Sequence, residues 1–181
     1  IPTVVLGLFG LYFVNPKLVE KYWPIGDSVG YSALGAGLMT GILTLPIVAS
    51  VADDALSSVP RAMREAGYAL GATRREVATK VVFNAGISGV VAAVILAFAR
   101  AFGETTVALM VAGSYPKLSG NPGDPMQTMA SFIGFAGIGD QPTDSTGFRT
   151  IFLVGALLFL ITLVFNLIGN RIILRYREVY E

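Results

Sequence analysis

The chain has 181 residues, of which 54% are hydrophobic and 14% are charged, and its formal net charge is +1. This composition argues against a water-exposed globular domain and indicates a protein that lies in a lipid bilayer. With zero Cys and zero His, thiol chemistry, imidazole chemistry, disulfides and His/Cys metal sites are excluded. We therefore expect no enzyme activity, no cofactor and no metal, and the low net charge gives no reason to expect nucleic acid.

Four apolar stretches approach or reach the length of about 20 residues that a membrane-spanning helix needs. They cover residues 2–14, 29–51, 86–113 and 150–173. The first stretch is short, and Ile1 already stands at the start of an apolar run, so we expect a truncated span with further spans upstream. The prediction is an all-α, polytopic membrane protein with about four transmembrane helices.

Two connections between the predicted spans carry polar residues. Residues 15–27 are expected to form the first connection, with Tyr22 and Trp23 at the membrane interface. Residues 114–149 are rich in Gly, Pro and Asp, and within them the stretch DPMQTMASFIGFAG predicts a short helix or a re-entrant element.

The Lys and Arg residues are distributed unequally between the two sides of the predicted spans. One side has eight, namely Arg61, Arg64, Arg74, Arg75, Lys80, Arg171, Arg175 and Arg177, and the other has four, namely Lys17, Lys21, Lys117 and Arg149. Because cytoplasmic loops carry the excess of Lys and Arg, the segment between the second and third spans and the C-terminus are expected in the cytoplasm. The expected location is the cell (plasma or inner) membrane.

The polar segment between the second and third spans has signals for two helices. Pro60 suits the first turn of a helix, and Gly71 can take the left-handed conformation that ends one. Thr73 and Glu76 stand at the spacing of a capping box, which opens a second helix. The prediction is helix, glycine turn, helix. An amphipathic loop that lies on the membrane surface is the alternative.

This segment resembles the EAA signature of ABC importer permeases. Glu65, Ala66 and Gly71 match the signature, and the nine-residue spacing after Gly71 reaches Val81. The departures are Gly67 for Ala, Val81 for Ile, Phe83 for Leu and Asn84 for Pro. In that family the segment forms coupling helices that seat in a groove of an ATPase subunit.

The resemblance implies that residues 52–84 are a cytoplasmic coupling segment within one permease domain, residues 1–181. The residues that it assigns to ATPase coupling are Glu65, Ala66, Gly67, Gly71 and Ala72. The sequence contains no Gly-x-x-x-x-Gly-Lys-Ser/Thr loop, so ATP is expected to bind to a partner subunit.

Arg100 and Glu104 lie near the middle of the third predicted span, where each ionised residue costs about 2.5 to 3.5 kcal/mol. Four residues apart on one helix face, they can neutralise one another. The planar guanidinium of Arg100 suits a tetrahedral oxyanion, and we expect Glu104 to hold it and to keep anion affinity low enough for release. A structural ion pair that faces another helix is the alternative.

The stretch ARAFGETTVALMVAGS, residues 99–114, resembles a stretch of the phosphate-specific permeases, and residues 2–13 resemble a second one. This family has two permease types, PstC and PstA. The stretch DPMQTMASFI and the last span resemble PstC more than PstA. The resemblance implies four of the six spans of a permease subunit that imports inorganic phosphate through Arg100, Glu104 and Thr105. It implies a PstA-like second permease, cytoplasmic ATPase subunits and an extracytoplasmic phosphate-binding protein as partners.

Two other functions stay open. The first is a permease for another oxyanion, such as molybdate, tungstate or sulfate, because the EAA stretch contacts the ATPase and not the cargo. The second is a membrane assembly subunit without a translocation path, in which Arg100 and Glu104 only hold helices together.

Overall fold

A computed structural model of the chain describes residues 2–23, 30–140 and 142–176, with side chains as far as residue 171. The described residues form helices and loops, and no strand occurs among them. The helices are α1 Thr3–Tyr22, α2 Ala33–Ser57, α3 Arg61–Ala69, α4 Arg74–Phe102, α5 Ala108–Ala112, α6 Met129–Ile138 and α7 Thr146–Tyr176. Part of the predicted first connection, residues 24–27, and the basic residue Arg177 lie outside the described residues.

Among the described residues, four helices are long and apolar enough to cross a membrane, namely α1, α2, α4 and α7 as far as Arg171. The prediction of an all-α protein with about four spans is therefore confirmed. The short helix predicted in the long loop is also confirmed, as α6, and it begins with a capping box between Thr128 and Ser131.

The first span is longer than the predicted stretch of residues 2–14. Asn15, expected to begin a polar connection, is a buried residue inside α1. Wide π-type turns from Gly10 to Val19 accommodate Pro16, whose ring and missing N–H would disrupt a regular α-helix. The predicted boundary is wrong because Pro16 and the lysines that follow it resemble the end of a span.

The third span begins earlier than predicted. The helix opened by Thr73 continues without interruption as α4 to Phe102. Asn84, which replaces the proline of the EAA signature, is helical, and its Nδ2 donates to the carbonyl oxygen of Lys80 at 2.8 Å. A residue that keeps its backbone N–H allows the helix to continue here, whereas proline would disfavour it.

The third span also ends earlier than predicted. The chain turns at Gly103, and helical conformation resumes at residue 106. We call residues 106–112, which include α5, the inner helix. Arg100 and Glu104 are therefore not near the middle of one span, as expected: Arg100 lies in the last turn of α4, and Glu104 lies in the helix break.

The chain divides into two compact units, residues 1–44 with 100–162 and residues 45–99 with 163–181. The first unit has a core contributed by α1, α2 and the inner helix, formed by Val14, Val19, Ala36, Met39, Val107, Val111 and Ala112. Gly10 allows this close packing, because a Cβ there would lie 2.7 Å from Val111 Cγ2. Small residues let helices approach closely where all surroundings are apolar.

In the second unit, the last part of α2 packs on the first part of α4. A Cβ on Gly86 would lie 2.8 Å from Leu56 Cδ2. α3 is tied to the same end of α2, because Arg64 Nη2 donates to the carbonyl oxygen of Leu56 at 2.9 Å. A cation is favourable at this position, since the last carbonyls of a helix carry partial negative charge.

Candidate functional site

The break between α4 and the inner helix carries the predicted charged pair. Arg100 Nη1 lies 3.7 Å from Glu104 Oε2. The Arg100 side chain is 45% exposed, whereas that of Glu104 is 5% exposed. The carboxylate is therefore buried, and its partner is an arginine side chain that is still partly exposed.

Glu104 has a second contact that the sequence interpretation missed. The N–H of Val107 donates to Glu104 Oε1 at 3.3 Å. The first N–H groups of a helix have no partner within the helix, and a carboxylate at this position satisfies one of them and complements the helix dipole. Glu104 thus uses one oxygen to cap the inner helix and the other to pair with Arg100.

Thr105, the third predicted pathway residue, lies at the break itself. Its Oγ1 donates to the carbonyl oxygen of Gly103 at 3.3 Å. α6 passes close by, because a Cβ on Gly134 would lie 2.9 Å from Thr105 Cγ2. The structure therefore places Thr105 next to Glu104 at the break and a short apolar helix against Thr105.

The other end of the inner helix is held by Asn15, which the sequence interpretation placed in a loop. Asn15 Nδ2 donates to the carbonyl oxygens of Val111 at 3.1 Å and Gly30 at 2.9 Å. Its Oδ1 accepts from Ser32 Oγ at 2.8 Å. Asn15 is followed by Pro and Lys, as many loop residues are, so the sequence contains no signal that would distinguish a buried asparagine here from one in a loop.

The loop after the inner helix is organised by Asp124. Its carboxylate accepts a hydrogen bond from Ser119 Oγ at 2.6 Å and lies 2.9 Å from Lys117 Nζ. Asn121 extends the network, because its Oδ1 accepts from Trp23 Nε1 at 3.0 Å. The backbone carbonyl of Asp124 accepts from the N–H of Ala33. The loop therefore satisfies a first-turn amide of α2.

The predicted coupling residues lie in the second half of α3 and in the turn that joins it to α4. Gly71 has φ +80°, and the N–H of Gly71 and of Ala72 donate to the carbonyls of Tyr68 and Gly67 at 2.9 and 3.1 Å. This pair of bonds is a Schellman motif, which closes a helix with a left-handed glycine. The predicted glycine turn is confirmed.

The predicted capping box opens the next helix. Thr73 Oγ1 accepts from the N–H of Glu76 at 3.3 Å, and Glu76 Oε2 accepts from the N–H of Thr73 at 3.0 Å. Lys80 Nζ lies 3.4 Å from Glu76 Oε1 one turn later. The Schellman motif at the end of α3 and the capping box at the start of α4 together give the turn a defined shape.

The predicted coupling residues differ in their exposure. Glu65, Ala66 and Gly71 are exposed, Ala72 is half-buried, and Gly67 is buried. A Cβ on Gly67 would lie 3.0 Å from Val77 Cγ2, so α3 rests directly on α4 there. Leu70, not among the predicted residues, is 89% exposed.

The described residues contain no group of three or more His, Cys, Asp or Glu side chains that could hold a metal ion.

Comparison with known protein families gives one match that covers nearly the whole chain. Residues 1–177 match the family described as "binding-protein-dependent transport system inner membrane component". The chain belongs to this family. It is a multi-pass membrane protein of the ABC transporter permease type.

Several curated relatives are similar to this permease chain over almost all of its length. It is 32% identical to the probable ABC transporter permease protein YqgH of Bacillus subtilis over 93% of this chain and 53% of the relative. It is 31% identical to the probable phosphate transport system permease protein PstC of Methanocaldococcus jannaschii, over 98% of this chain and 60% of the relative. It is 30% identical to the phosphate transport system permease protein PstC of Pasteurella multocida, over 98% of this chain and 60% of the relative.

The permease chain therefore spans between about half and three fifths of the length of these curated relatives. No solved structure matches it significantly.

Proposed function

We propose that this chain is part of the transmembrane permease subunit of an ATP-driven importer of inorganic phosphate. The observation that carries the proposal is the accessible guanidinium of Arg100, held by a buried carboxylate where a membrane helix is broken. Several relatives named as phosphate permeases support the same substrate.

The exposure of Arg100 indicates what its side chain faces. An arginine in contact with hydrocarbon is unfavourable, by about 2.5 to 3.5 kcal/mol where the cost is greatest, at the centre of a membrane-spanning helix. Within the described residues, Glu104 is its polar partner, at a distance that leaves the guanidinium able to donate to another acceptor. We therefore assign its exposed part to an aqueous path, where it can donate two parallel hydrogen bonds to a phosphate.

Glu104 sets the strength of that interaction. An anion at Arg100 has to compete with the carboxylate, which lowers the affinity of the site. A transport site needs this, because an anion that binds too tightly is not released. Thr105, whose hydroxyl donates to the carbonyl of Gly103 at the same break, is the third residue that we assign to the path.

The α3–α4 turn supplies the proposed contact with an ATPase. Glu65, Ala66 and Gly71 are exposed on it, with Gly67 and Ala72 shaping it from beneath. ATP binding and hydrolysis would take place on the partner ATPase subunits, with the turn and the C-terminus in the cytoplasm. A second, PstA-like permease subunit and an extracytoplasmic phosphate-binding protein complete the proposed importer.

Two observations favour other functions. The guanidinium geometry suits any tetrahedral oxyanion, which keeps molybdate, tungstate and sulfate as alternative cargoes. The cap that Glu104 gives to the inner helix favours a purely structural pair, in an assembly subunit that transports nothing.

The test uses the full-length subunit, reconstituted with its partner permease, ATPase and binding protein, and follows ATP-dependent uptake of labelled phosphate. Phosphate uptake that resists excess molybdate and sulfate supports the proposal. Arg100→Ala is expected to abolish or sharply lower uptake with assembly intact, while Arg149→Ala, an exposed arginine at the start of α7, serves as the matched control. Normal uptake by Arg100→Ala would remove Arg100 from the path, and suppression by another oxyanion would change the cargo.

A charge exchange separates transport from a structural role. In the double variant Arg100→Glu with Glu104→Arg, the two charges still attract each other, but the carboxylate is now at the accessible position. A structural pair keeps its attraction in this variant but loses the cap on Val107, because arginine cannot accept from that N–H, whereas an anion path also loses its accessible cation. Uptake that survives the exchange would favour the assembly subunit.

A further inference from the structure

Asn15 is the most completely bonded polar side chain in the described part of α1. It is 1% exposed, and both its N–H groups and its oxygen are used, by Gly30, Val111 and Ser32. Ser32 Oγ in turn accepts from the N–H of Gly35 at 3.0 Å. A buried polar network in which every member is satisfied fixes one arrangement of the segments that it joins.

The inner helix is held at both ends by such bonds. Its last carbonyls have no partner inside the helix, and the carbonyl of Val111 accepts from Asn15 Nδ2 and from the N–H of Ser32 at 2.9 Å. At the other end, Glu104 accepts from the N–H of Val107. A shift of the inner helix would therefore disturb both its contact with Asn15 and the cap that Glu104 provides.

The Asn15 amide fits in its place because residue 35 is a glycine. A Cβ on Gly35 would collide with Asn15 Oδ1, so any side chain at this position displaces the amide without removing a polar group. Gly37, two residues further along α2, has nothing within 4 Å of a Cβ. The two glycines thus form a matched pair for testing the Asn15 amide.

We infer that Asn15 is a positioning residue for transport: it fixes the inner helix, and through it the carboxylate of Glu104 against the accessible Arg100. This inference rests on the proposed function, because the effect of changing Asn15 is measured as a change in anion transport. It assigns a role to a residue that contacts neither Arg100 nor the anion.

The test measures uptake kinetics per assembled complex in the reconstituted full-length importer, with the amount of complex determined separately. Asn15→Asp keeps the shape of the side chain, but an ionised carboxylate cannot donate to the two carbonyls. Gly35→Ala displaces the intact amide, and Ser32→Ala removes only one bond to Oδ1. Gly37→Ala is the control for the glycine change, and Thr44→Val is the control for loss of a buried hydroxyl that bonds only within α2.

Asn15→Asp and Gly35→Ala are expected to lower the apparent KM for phosphate by about tenfold or more, because a displaced Glu104 no longer competes with the anion. About tenfold is the effect of one lost buried hydrogen-bond partner, and Asn15→Asp loses two. Ser32→Ala is expected to have a smaller effect, and both controls should match the wild type. If the variants lower only the amount of complex and leave KM and maximal rate per complex unchanged, Asn15 is a structural residue and the inference is wrong.

Uptake by the wild-type importer distinguishes failure of the inference about Asn15 from failure of the proposed function. A wild-type importer that rejects phosphate but carries another oxyanion refutes the phosphate assignment, and the same KM comparison is then made with that oxyanion. A wild-type importer that carries no oxyanion refutes both.

Discussion

The left-handed glycine between α3 and α4 offers the sharpest perturbation of the proposed contact with the ATPase. Gly71 has φ +80°, and a Cβ there meets nothing within 4 Å. The substitution Gly71→Ala is therefore penalised only through the backbone, since a left-handed residue with a Cβ costs about 1 to 2 kcal/mol. Gly71→Asn is penalised less, because asparagine adopts this conformation more readily.

An alanine at this position lets the free turn relax out of the left-handed conformation, and docking then has to restore it, so we expect up to the whole of this cost to appear in the affinity of the ATPase subunit for the permease. A cost of about 1 to 2 kcal/mol corresponds to a loss of about five- to thirtyfold in affinity. Titrating the ATPase subunit onto the full-length permease pair in lipid nanodiscs measures this directly. The expected order of affinity is wild type, then Gly71→Asn, then Gly71→Ala.

The matched control is Gly155→Ala in α7, where a Cβ also meets nothing within 4 Å and the glycine has no positive φ. That variant should bind the ATPase as the wild type does. An unchanged affinity for Gly71→Ala would refute the argument that docking needs the left-handed turn. Equal losses for Gly71→Ala and Gly71→Asn would refute the backbone origin of the effect.

Three further changes test other parts of the molecule. Glu104→Gln keeps an oxygen that caps the inner helix but removes the charge that opposes Arg100, so both the apparent KM for phosphate and the maximal uptake rate should fall; an unchanged KM contradicts the competition argument. Leu70→Asp should leave the fold within about 0.5 kcal/mol, because that side chain is 89% exposed, yet it should weaken ATPase binding in the same titration. Leu118→Asp, a fully exposed leucine in the long loop, should not weaken it, and equal losses would indicate a non-specific effect. Asp124→Leu removes the partner of Lys117 and Ser119, and the resulting release of the loop should shift the emission of the chain's one tryptophan to longer wavelength. An unshifted spectrum would mean that the loop keeps its place without the carboxylate.

Local signals in the sequence predicted the turn between α3 and α4 well. A capping box and a left-handed glycine depend on residues within one or two turns, so Thr73, Glu76 and Gly71 could be interpreted without knowledge of the rest of the fold. The extent of the apolar stretches likewise predicted four spans, because membrane helices are defined by length and composition.

The helix break and the buried Asn15 could not be predicted, since both depend on tertiary contacts. The residues around Gly103 belong to a long apolar stretch, and a continuous helix satisfies its own backbone as well as a broken one does. The break is stable because Glu104, Asn15 and Met126 satisfy the ends of the inner helix, and these residues are far apart in sequence. Proline and lysine after Asn15 suggested the end of a span, although α1 continues to Tyr22.

The inner helix also constrains the order in which the chain can be assembled during synthesis. A helix of two turns is unstable by itself, and its free carbonyls are costly in a lipid environment. The N–H of Met126, which follows the inner helix in the chain, donates to the carbonyl of Ala112. This segment therefore cannot be released into the bilayer as an independent span, and it reaches its final place only after the loop beyond it has been made.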